Sequence, residues 1–434
     1  MTTKIQVEHL ARVEGHGGIT VELDDGAITA VRFDIFEGAR LLEGLVHGRS
    51  YEDISQILSR ICAICSVAHS LTSLKATENA LGVKVSPQTE LLRDLLYRGE
   101  SIQSHALHLF CLALPDYLNY PSVTALAADH LDAVRLGLRM KKCGNSIQET
   151  IGGRAVHPVN AVLGGFGRLP SVDQLVALRQ DLIQGRADCE TMIDLLATLP
   201  AADFCHAETV FAALRSPENH GYYLGDEIIV LSRGLRQTVP AAGYRALTNE
   251  RAVPGSHAKH SLHNGRPLMV GALARLLINT KGLSARAAAA IQKLGLTLLS
   301  DNPMDNNKAQ GVELVHDVES ALATAERLLH EGLQEEGCVP VRPRAGTGTA
   351  VTEAPRGLLI HSYTYDDKGR ITTADVITPT ALNAASIEDH LRRTVEQSAD
   401  KDVPALTQKL EMIARAYDPC ISCSVHLVQK HHAA

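Results

Sequence analysis

The sequence predicts an α+β fold dominated by helices, with a central helical bundle, an N-terminal β-hairpin and another in the C-terminal half. Two observations favour this fold class. Long stretches carry apolar residues at helical spacing, and two shorter stretches alternate apolar and polar residues around a turn. Apolar residues make up 45% of the 434 positions, which is enough for a large core. No low-complexity linker separates these parts, so we expect a single intertwined domain over residues 1–434.

Each predicted hairpin is marked by its turn. Residues 18–36 alternate on either side of Asp25-Gly26, a dipeptide that favours tight hairpin turns. Residues 357–380 form a second such pattern, which turns near residues 367–369. Just before it, residues 339–357 are rich in Pro and Gly, and could be either a linker or an ordered loop that lines a site.

The helices follow from apolar periodicity. Ser50 is a candidate N-cap for a helix that carries Ile54, Ile57, Leu58 and Ile61 on one face and ends beside Cys62. Further helical patterns cover residues 88–114, 122–140, 172–199, 306–333, 387–398 and 404–417.

Charge and hydropathy exclude two classes of protein. The formal net charge is −7 and basic residues are dispersed, so nothing indicates a nucleic-acid-binding surface. The sequence contains no run of 18 apolar residues, so nothing indicates a membrane span, and the N-terminus lacks the apolar segment of a signal peptide. We therefore expect a cytoplasmic protein.

Two Cys-x-x-Cys pairs stand at opposite ends of the chain, Cys62 with Cys65 and Cys420 with Cys423. Four thiolates suit a soft metal ion, and one shared site would join the N- and C-terminal segments. A structural zinc site, a redox dithiol or two unrelated pairs remain alternatives at this point. The other five cysteines are expected to be small buried side chains: Cys111, Cys143, Cys189, Cys205 and Cys338.

The residues around both pairs carry a family resemblance. The motifs R-x-C-x-x-C, from Arg60, and D-P-C-x-x-C-x-x-H, from Asp418, resemble those of the large, catalytic subunit of nickel–iron hydrogenases. The resemblance implies that Cys62 and Cys420 are terminal nickel ligands. It implies that Cys65 and Cys423 bridge nickel to an iron that carries carbon monoxide and cyanide.

Other segments resemble the same family and imply further roles. In the segment that begins at Ala11, ARVEGHG, Glu14 would be the first proton relay beside the terminal thiolate of Cys420. Glu43 would bind a buried magnesium ion together with His426 and the backbone carbonyl of Val376.

Four more positions would surround the iron and a bridging sulfur. Arg356, in A-P-R-G, would overhang the iron, the hydroxyl of Thr380, in T-P-T, would contact a cyanide, and Pro379 would lie next to the site. His69 would form a hydrogen bond with a bridging sulfur.

The chain also departs from the family pattern. Ser104 stands before His105 where relatives have an acidic residue, which puts in doubt any aspartate beside Arg356. Ala63 replaces a common glycine. With residues 151–158, these variants look most like the soluble cytoplasmic, NAD(P)-linked group.

The resemblance implies reversible heterolytic cleavage of dihydrogen. Once the four motif cysteines are used, no set of cysteines remains for iron–sulfur clusters, so a small subunit with such clusters is expected as partner. Further NAD(P)-reducing subunits are expected to take up the electrons. Residues 427–434 are interpreted as a propeptide that a maturation protease removes after His426, although a disordered tail is the simpler alternative.

Three rival functions remain open at this stage. A dihydrogen-sensing regulatory hydrogenase would have the same site. A quinone-facing subunit of respiratory complex I would lack the four cysteines, and a zinc-stabilised scaffold would use them only for structure.

Overall fold

The computed structural model describes residues 2–38, 42–216, 218, 220–398 and 402–425. Its strands in chain order are β1 Thr2–Val7, β2 Gly17–Asp24, β3 Ala27–Ile35, β4 Ala161–Val162, β5 Gly165–Phe166, β6 Val210–Leu214, β7 Glu227–Ser232, β8 Leu235–Pro240, β9 Arg251–Ala252, β10 Lys259–His260, β11 Leu268–Met269, β12 Gly346–Ala354, β13 Gly357–Tyr365 and β14 Ile371–Ile377.

The α-helices in chain order are α1 Leu42–Val46, α2 Ile54–Leu58, α3 Ser66–Leu81, α4 Pro87–Leu107, α5 Leu114–Tyr117, α6 Val123–Asp129, α7 Leu131–Gly152, α8 Val172–Ala197, α9 Ala272–Asn279, α10 Ala285–Lys293, α11 Asp305–Glu331, α12 Pro379–Gln397, α13 Val403–Ala416 and α14 Ile421–Ser424. Short 3₁₀ turns lie at Ser59–Ile61, Ala241–Ala246 and Thr280–Gly282, and a π-helical turn lies at His108–Ala113.

The predicted α+β class is confirmed, and so is the first hairpin. Strands β1, β2 and β3 form an antiparallel sheet in that order. The β2–β3 turn consists of Asp25 and Gly26, both with positive φ, as a two-residue turn between twisted strands requires.

The second hairpin is also confirmed, and a third strand extends it. Strands β12, β13 and β14 pair in antiparallel order, so the Pro- and Gly-rich stretch is ordered strand from Gly346 onward rather than a linker. Helix α3 packs on this sheet so closely that a Cβ atom at Gly348 would lie 2.2 Å from the carbonyl oxygen of Ala76.

The helical bundle consists mainly of the long helices α4, α7, α8 and α11. Two boundaries differ from the predictions. The helix expected over residues 122–140 breaks at His130, which has non-helical dihedral angles, into α6 and α7. The helix expected to begin at Ser50 begins at Ile54 after Asp53, because Ser50 instead pairs with Arg370 in a β-bridge.

A π-helical turn interrupts the helical stretch that was predicted to run to residue 114. It ends where α5 begins, with Pro115 in its first turn. Proline has no N–H to donate and its ring clashes with the carbonyl four residues earlier, so regular α-helical bonding cannot continue through it.

A four-stranded sheet was not predicted. It has the order β11-β6-β7-β8 and pairs β11 with β6 in parallel. The prediction for the five lone cysteines is wrong in part, since Cys338 is exposed and Cys111 only half-buried. Across the part of the chain that the structure describes, no helix is long and apolar enough to span a membrane.

Candidate metal centre

The four motif cysteines lie together in one buried cluster. Cys62 follows the 3₁₀ turn, Cys65 precedes α3, Cys420 precedes α14 and Cys423 lies within α14. Their sulfur atoms all lie within 4.8 Å of one another. The sulfurs of Cys62 and Cys420 are 3.3 Å apart, and those of Cys65 and Cys423 are 3.4 Å apart.

Backbone pairing brings the two ends of the chain to this cluster. Glu14 and Cys420 form a parallel β-bridge, and the Ile421 N–H donates to the Glu14 carbonyl at 2.9 Å. Gly15 has a φ of 84°, and a Cβ atom there would lie 2.9 Å from the backbone nitrogen of Ser422. The crossing therefore requires glycine at this position.

The thiol pKa values show that these sulfurs cannot all ionise unaided. Burial raises the pKa of Cys65 to about 12 and the pKa values of Cys420 and Cys423 well above the ordinary range. Burial also opposes ionisation of Cys62, but hydrogen bonds from the other three thiols outweigh it and lower the Cys62 pKa well below its usual value. A bound cation is what allows such a set to become four thiolates.

Glu14 lies directly beside one of the four sulfurs. Its Oε2 atom is 3.2 Å from the sulfur of Cys420 and accepts the backbone N–H of Ser422 at 3.1 Å. The Ser422 hydroxyl donates to the other carboxylate oxygen. These contacts fix the orientation of the carboxylate against Cys420.

Arg356 is held by a residue of the second cysteine motif. Its Nε donates to the Asp418 carbonyl at 2.6 Å, and its Nη2 lies 2.9 Å from the Asp418 carboxylate. Burial disfavours the guanidinium charge, but Asp418 and the cysteines raise the Arg356 pKa well above its usual value. Because Ser104 stands where relatives have an acidic residue, the sequence left it in doubt whether an aspartate lies beside Arg356. In the structure Asp418 is such an aspartate.

Two buried polar atoms in the segments of Arg356 and Thr380 lack hydrogen-bond partners. Within the described ranges, the buried Nη1 atom of Arg356 and the buried hydroxyl of Thr378 make no hydrogen bond. The hydroxyl oxygen of Thr380 accepts the Cys420 N–H at 3.0 Å, which leaves its own hydrogen available, and Pro379 is buried beside it. Since buried polar groups normally have partners, these atoms fit a metal group that carries small polar ligands.

The remaining predicted positions are placed as follows. His69 is buried, with its Nδ1 atom 3.1 Å from Nε2 of His361. Glu43 accepts the Val376 N–H at 2.7 Å, so the structure brings these two predicted magnesium ligands together. His426 and residues 427–434 lie outside the described residues.

Comparison with known proteins agrees with this geometry. The sequence model of the nickel-dependent hydrogenase family matches residues 40–151 and 243–426, and a HoxL-like model matches residues 4–37. The chain is 37% identical over 431 residues to sulfhydrogenase 1 subunit alpha of Pyrococcus furiosus, covering 98% of each chain. The chain belongs to the nickel-dependent hydrogenase family.

Two NAD-reducing members of this hydrogenase family are also similar to the chain. Subunit beta of the NAD-reducing hydrogenase HoxS of Cupriavidus necator is 27% identical over 478 residues, with 98% of this chain and 95% of that protein covered. The crystal structure of an NAD⁺-reducing [NiFe]-hydrogenase in the H₂-reduced state superposes with a TM-score of 0.88 at 30% identity. That alignment covers 98% of this chain and 99% of the other. The predicted family is thus confirmed, and the chain is a hydrogenase large subunit of the nickel–iron type.

Sequence reasoning missed several residues that the fold brings to this hydrogenase site. Glu100 of α4 accepts the N–H groups of Val67 and Ala68, in the first turn of the helix that follows Cys65. Gln310 of α11 donates to Asp418 at 3.2 Å. Neither residue belongs to a local motif, so only the tertiary structure reveals them.

Proposed function

We propose that this chain cleaves dihydrogen heterolytically and reversibly at a nickel–iron centre held by Cys62, Cys65, Cys420 and Cys423. The observation that carries the proposal is the buried cluster of four sulfurs, one of which lies 3.2 Å from the Glu14 carboxylate. In this assignment Cys62 and Cys420 would hold nickel as terminal ligands, and Cys65 and Cys423 would hold nickel together with iron. Bound there, the centre supplies the Lewis acidity that polarises dihydrogen.

The protein residues handle the proton. The sulfur of Cys420 accepts it, and Glu14 takes it from there, because the carboxylate oxygen is within hydrogen-bonding reach of that sulfur. The Ser422 N–H and hydroxyl keep the Glu14 carboxylate in position for this transfer.

The unpartnered donors around the cluster suit small anionic ligands on the iron. Arg356 Nη1 and the Thr380 hydroxyl hydrogen are the donors that we assign to cyanide ligands, with Pro379 as an apolar wall, and carbon monoxide would be a neutral ligand of the same iron. His69 would support a bridging sulfur.

We also propose a magnesium site near the C-terminal end of the chain. Glu43 and the Val376 carbonyl would bind it together with His426, and cleavage after His426 by a maturation protease would remove residues 427–434. The contact between Glu43 and the backbone of Val376 supports this assignment.

The electrons require other chains. Among the described residues the four clustered cysteines are the group that could hold a metal, so we propose a small subunit with iron–sulfur clusters as the immediate acceptor. The NAD-reducing relatives support NAD(P) as the final acceptor, reached through further subunits in the cytoplasm.

Exchange of one carboxylate tests the proton step. Glu14→Gln keeps the size of the side chain and an oxygen that can accept the Ser422 N–H, but it cannot take up a proton. In the intact complex we expect kcat for dihydrogen oxidation to fall by about 10²–10⁴-fold at unchanged nickel content. Glu8→Gln, at an exposed position in the same segment, is the control. Unchanged turnover in Glu14→Gln would remove Glu14 from the mechanism.

A further inference from the structure

The turn that carries Arg356 is short and tightly surrounded. It joins β12 to β13 and consists of Pro355 and Arg356. The corner before α9 packs against it. A Cβ atom on Gly357 would lie 2.4 Å from Cγ2 of Val270, and one on Gly271 would lie 3.1 Å from the Arg356 carbonyl oxygen. The turn therefore cannot move toward this corner without a clash.

Arg275, in the first turn of α9, binds the same turn through its side chain. Its Nη1 donates to the Ala354 carbonyl at 3.0 Å, and its Nη2 donates to the Pro355 carbonyl at 2.8 Å. These are the two carbonyl groups immediately before Arg356. One buried side chain thus fixes the backbone from which the Arg356 side chain extends.

Two buried carboxylates hold the Arg275 guanidinium in this orientation. Nε and Nη2 donate to the two oxygens of Glu313 at 2.8 and 2.7 Å, and Nη1 donates to Glu353 at 3.0 Å. A guanidinium has five N–H groups, and all five have an acceptor here, three on carboxylates and two on the turn. This set of partners allows the guanidinium a single orientation.

The two carboxylates are in turn held by other parts of the core. The Nε2 atoms of His105 and His220 lie 2.9 and 2.8 Å from the Glu313 carboxylate. Glu353 accepts the Leu214 N–H of β6 at 2.7 Å. The position of the turn is therefore set by packed helices and strands, not by the turn alone.

Arg356 is consequently held at both ends. Asp418 binds its guanidinium through Nε and Nη2, and Arg275 fixes its backbone end. Within the part of the chain that the structure describes, Arg356 Nη1 makes no hydrogen bond. The direction of this donor depends on both ends, because a shift of the backbone would rotate the guanidinium against Asp418.

We propose that Arg275 is a positioning residue for Arg356. It fixes the β12–β13 turn so that Arg356 can bind Asp418 and keep Nη1 for a ligand of the iron. The inference rests on the role proposed above for Arg356. Its geometric part, that Arg275 maintains the contact between Arg356 and Asp418, does not depend on catalysis.

The crystal structure of the complex with Arg275→Lys tests the geometry. Lysine keeps the charge, but its three donors sit on one nitrogen and cannot span two carboxylates and two carbonyls. We expect the turn to shift and the distance from Arg356 Nε to the Asp418 carbonyl to increase from 2.6 Å beyond hydrogen-bonding range. An unchanged contact would overturn the inference, whether or not the complex cleaves dihydrogen.

Arg93→Lys is the matched control. Arg93 is equally buried, and it donates to Glu78, to the Tyr223 hydroxyl and to the Val162 carbonyl. Its replacement should also lower the thermal stability, but it should leave the contact between Arg356 and Asp418 intact.

Infrared spectra and turnover test the effect on the site. In Arg275→Lys we expect shifted cyanide bands and a kcat per bound nickel about tenfold lower, with KM for dihydrogen unchanged. In Arg93→Lys the bands and the turnover per nickel should match those of the unmodified complex. If Arg275→Lys loses stability or nickel but keeps its bands and its turnover per nickel, its role is only structural and the proposal fails.

Glu353→Gln decides the question if Arg275→Lys does not fold. The variant keeps the size of the side chain but has one acceptor oxygen, so it cannot bind both the Leu214 N–H and Arg275. A smaller shift of the same cyanide bands is expected. Bands identical to those of the unmodified complex would overturn the proposal.

Discussion

Single side chains at the metal centre are held by the backbone of other segments. Ser422 N–H binds Glu14, Cys420 N–H binds Thr380, and the Asp418 carbonyl binds Arg356. Because each of these groups is fixed by residues distant in sequence, small changes in side-chain shape are expected to affect turnover more than folding.

Arg356 provides the first residue-scale prediction. A lysine has all its donors on one nitrogen, so it cannot reproduce the planar guanidinium that binds the Asp418 carbonyl through Nε and the carboxylate through Nη2 and keeps Nη1 for another acceptor. In Arg356→Lys we expect kcat to fall at least about tenfold, or about 1.4 kcal/mol in transition-state stabilisation, with nickel content retained. Arg327→Lys, at an exposed position on α11, is the control, measured as dihydrogen-dependent reduction of an artificial acceptor. Equal turnover in Arg356→Lys and the unmodified complex would contradict the assignment.

Glu388 provides a prediction about pH. Burial raises the pKa of Glu388 to about 7, partly offset by a hydrogen bond from the Phe33 N–H. Glu388 has a pKa near 4.5 in the unfolded chain, so between that pH and about 7 the native state keeps a proton that the unfolded chain has released. The contribution of Glu388 to the free energy of unfolding therefore falls as pH rises from about 4.5 to 7. Glu388→Gln retains the acceptor for the Phe33 N–H. As pH rises across that window, the free energy of unfolding of this variant should increasingly exceed that of the unmodified protein.

The gain can be measured by chemical denaturation at several pH values. It should reach at most about 3 kcal/mol above pH 7 and vanish near pH 4.5, at about 1.4 kcal/mol per pKa unit. Asp389→Asn, at the neighbouring and more exposed position, should show no comparable trend. A pH-independent difference for Glu388→Gln would contradict the prediction.

Residue-scale sequence reasoning succeeded where chemistry is local. The spacing of the cysteines predicted that a metal would join the two ends of the chain, and their sulfurs cluster. Glu100 and Gln310 gave no such signal, because each reaches the site only through contact with a residue distant in sequence. Asp418 was visible in its motif, but its pairing with Arg356, in the turn between β12 and β13, is formed only by the tertiary structure.

At the scale of elements, glycines set the distance between α4 and α7. A Cβ atom on Gly144 would lie 2.5 Å from both the Gly99 carbonyl oxygen and the Gln103 nitrogen. Both atoms belong to the α4 backbone, so neither can rotate away. Helix α4 also carries Glu100, which binds the first turn of α3 beside Cys65.

Gly144→Ala tests this close packing. The added methyl group should lower the free energy of unfolding by about 1–3 kcal/mol through overpacking, although alanine favours helix by about 1 kcal/mol. Leu138→Ala, at an exposed position on α7, should change it by at most about 0.5 kcal/mol. Unfolding midpoints of the two variants give the comparison, and a Gly144→Ala protein as stable as the unmodified one would contradict the packing argument.

Strands β6 and β11 were not predicted because neither gives a clear pattern in the sequence. Strand β6 reads VFAAL and is buried throughout, so it lacks the alternation that marks a half-exposed strand. It pairs with β11, which contributes only two residues from far along the chain. The two hairpins were predictable because each is closed by its own local turn.

At the scale of the whole molecule, the cysteine cluster joins the first and last parts of the described chain. We propose on this ground that the chain folds as one intertwined domain. Metal binding would then contribute to folding, since it fixes segments more than 350 positions apart.

The metal content of the purified native complex tests the central claim most directly, together with an infrared spectrum of the same sample. We predict nickel in equal amount with the chain, iron in excess of nickel because the iron–sulfur clusters of the partner subunit also contain it, and carbonyl and cyanide bands between the amide and C–H regions. A fully matured sample that contained zinc in place of nickel and showed no such bands would contradict the account and leave the four cysteines with a structural role.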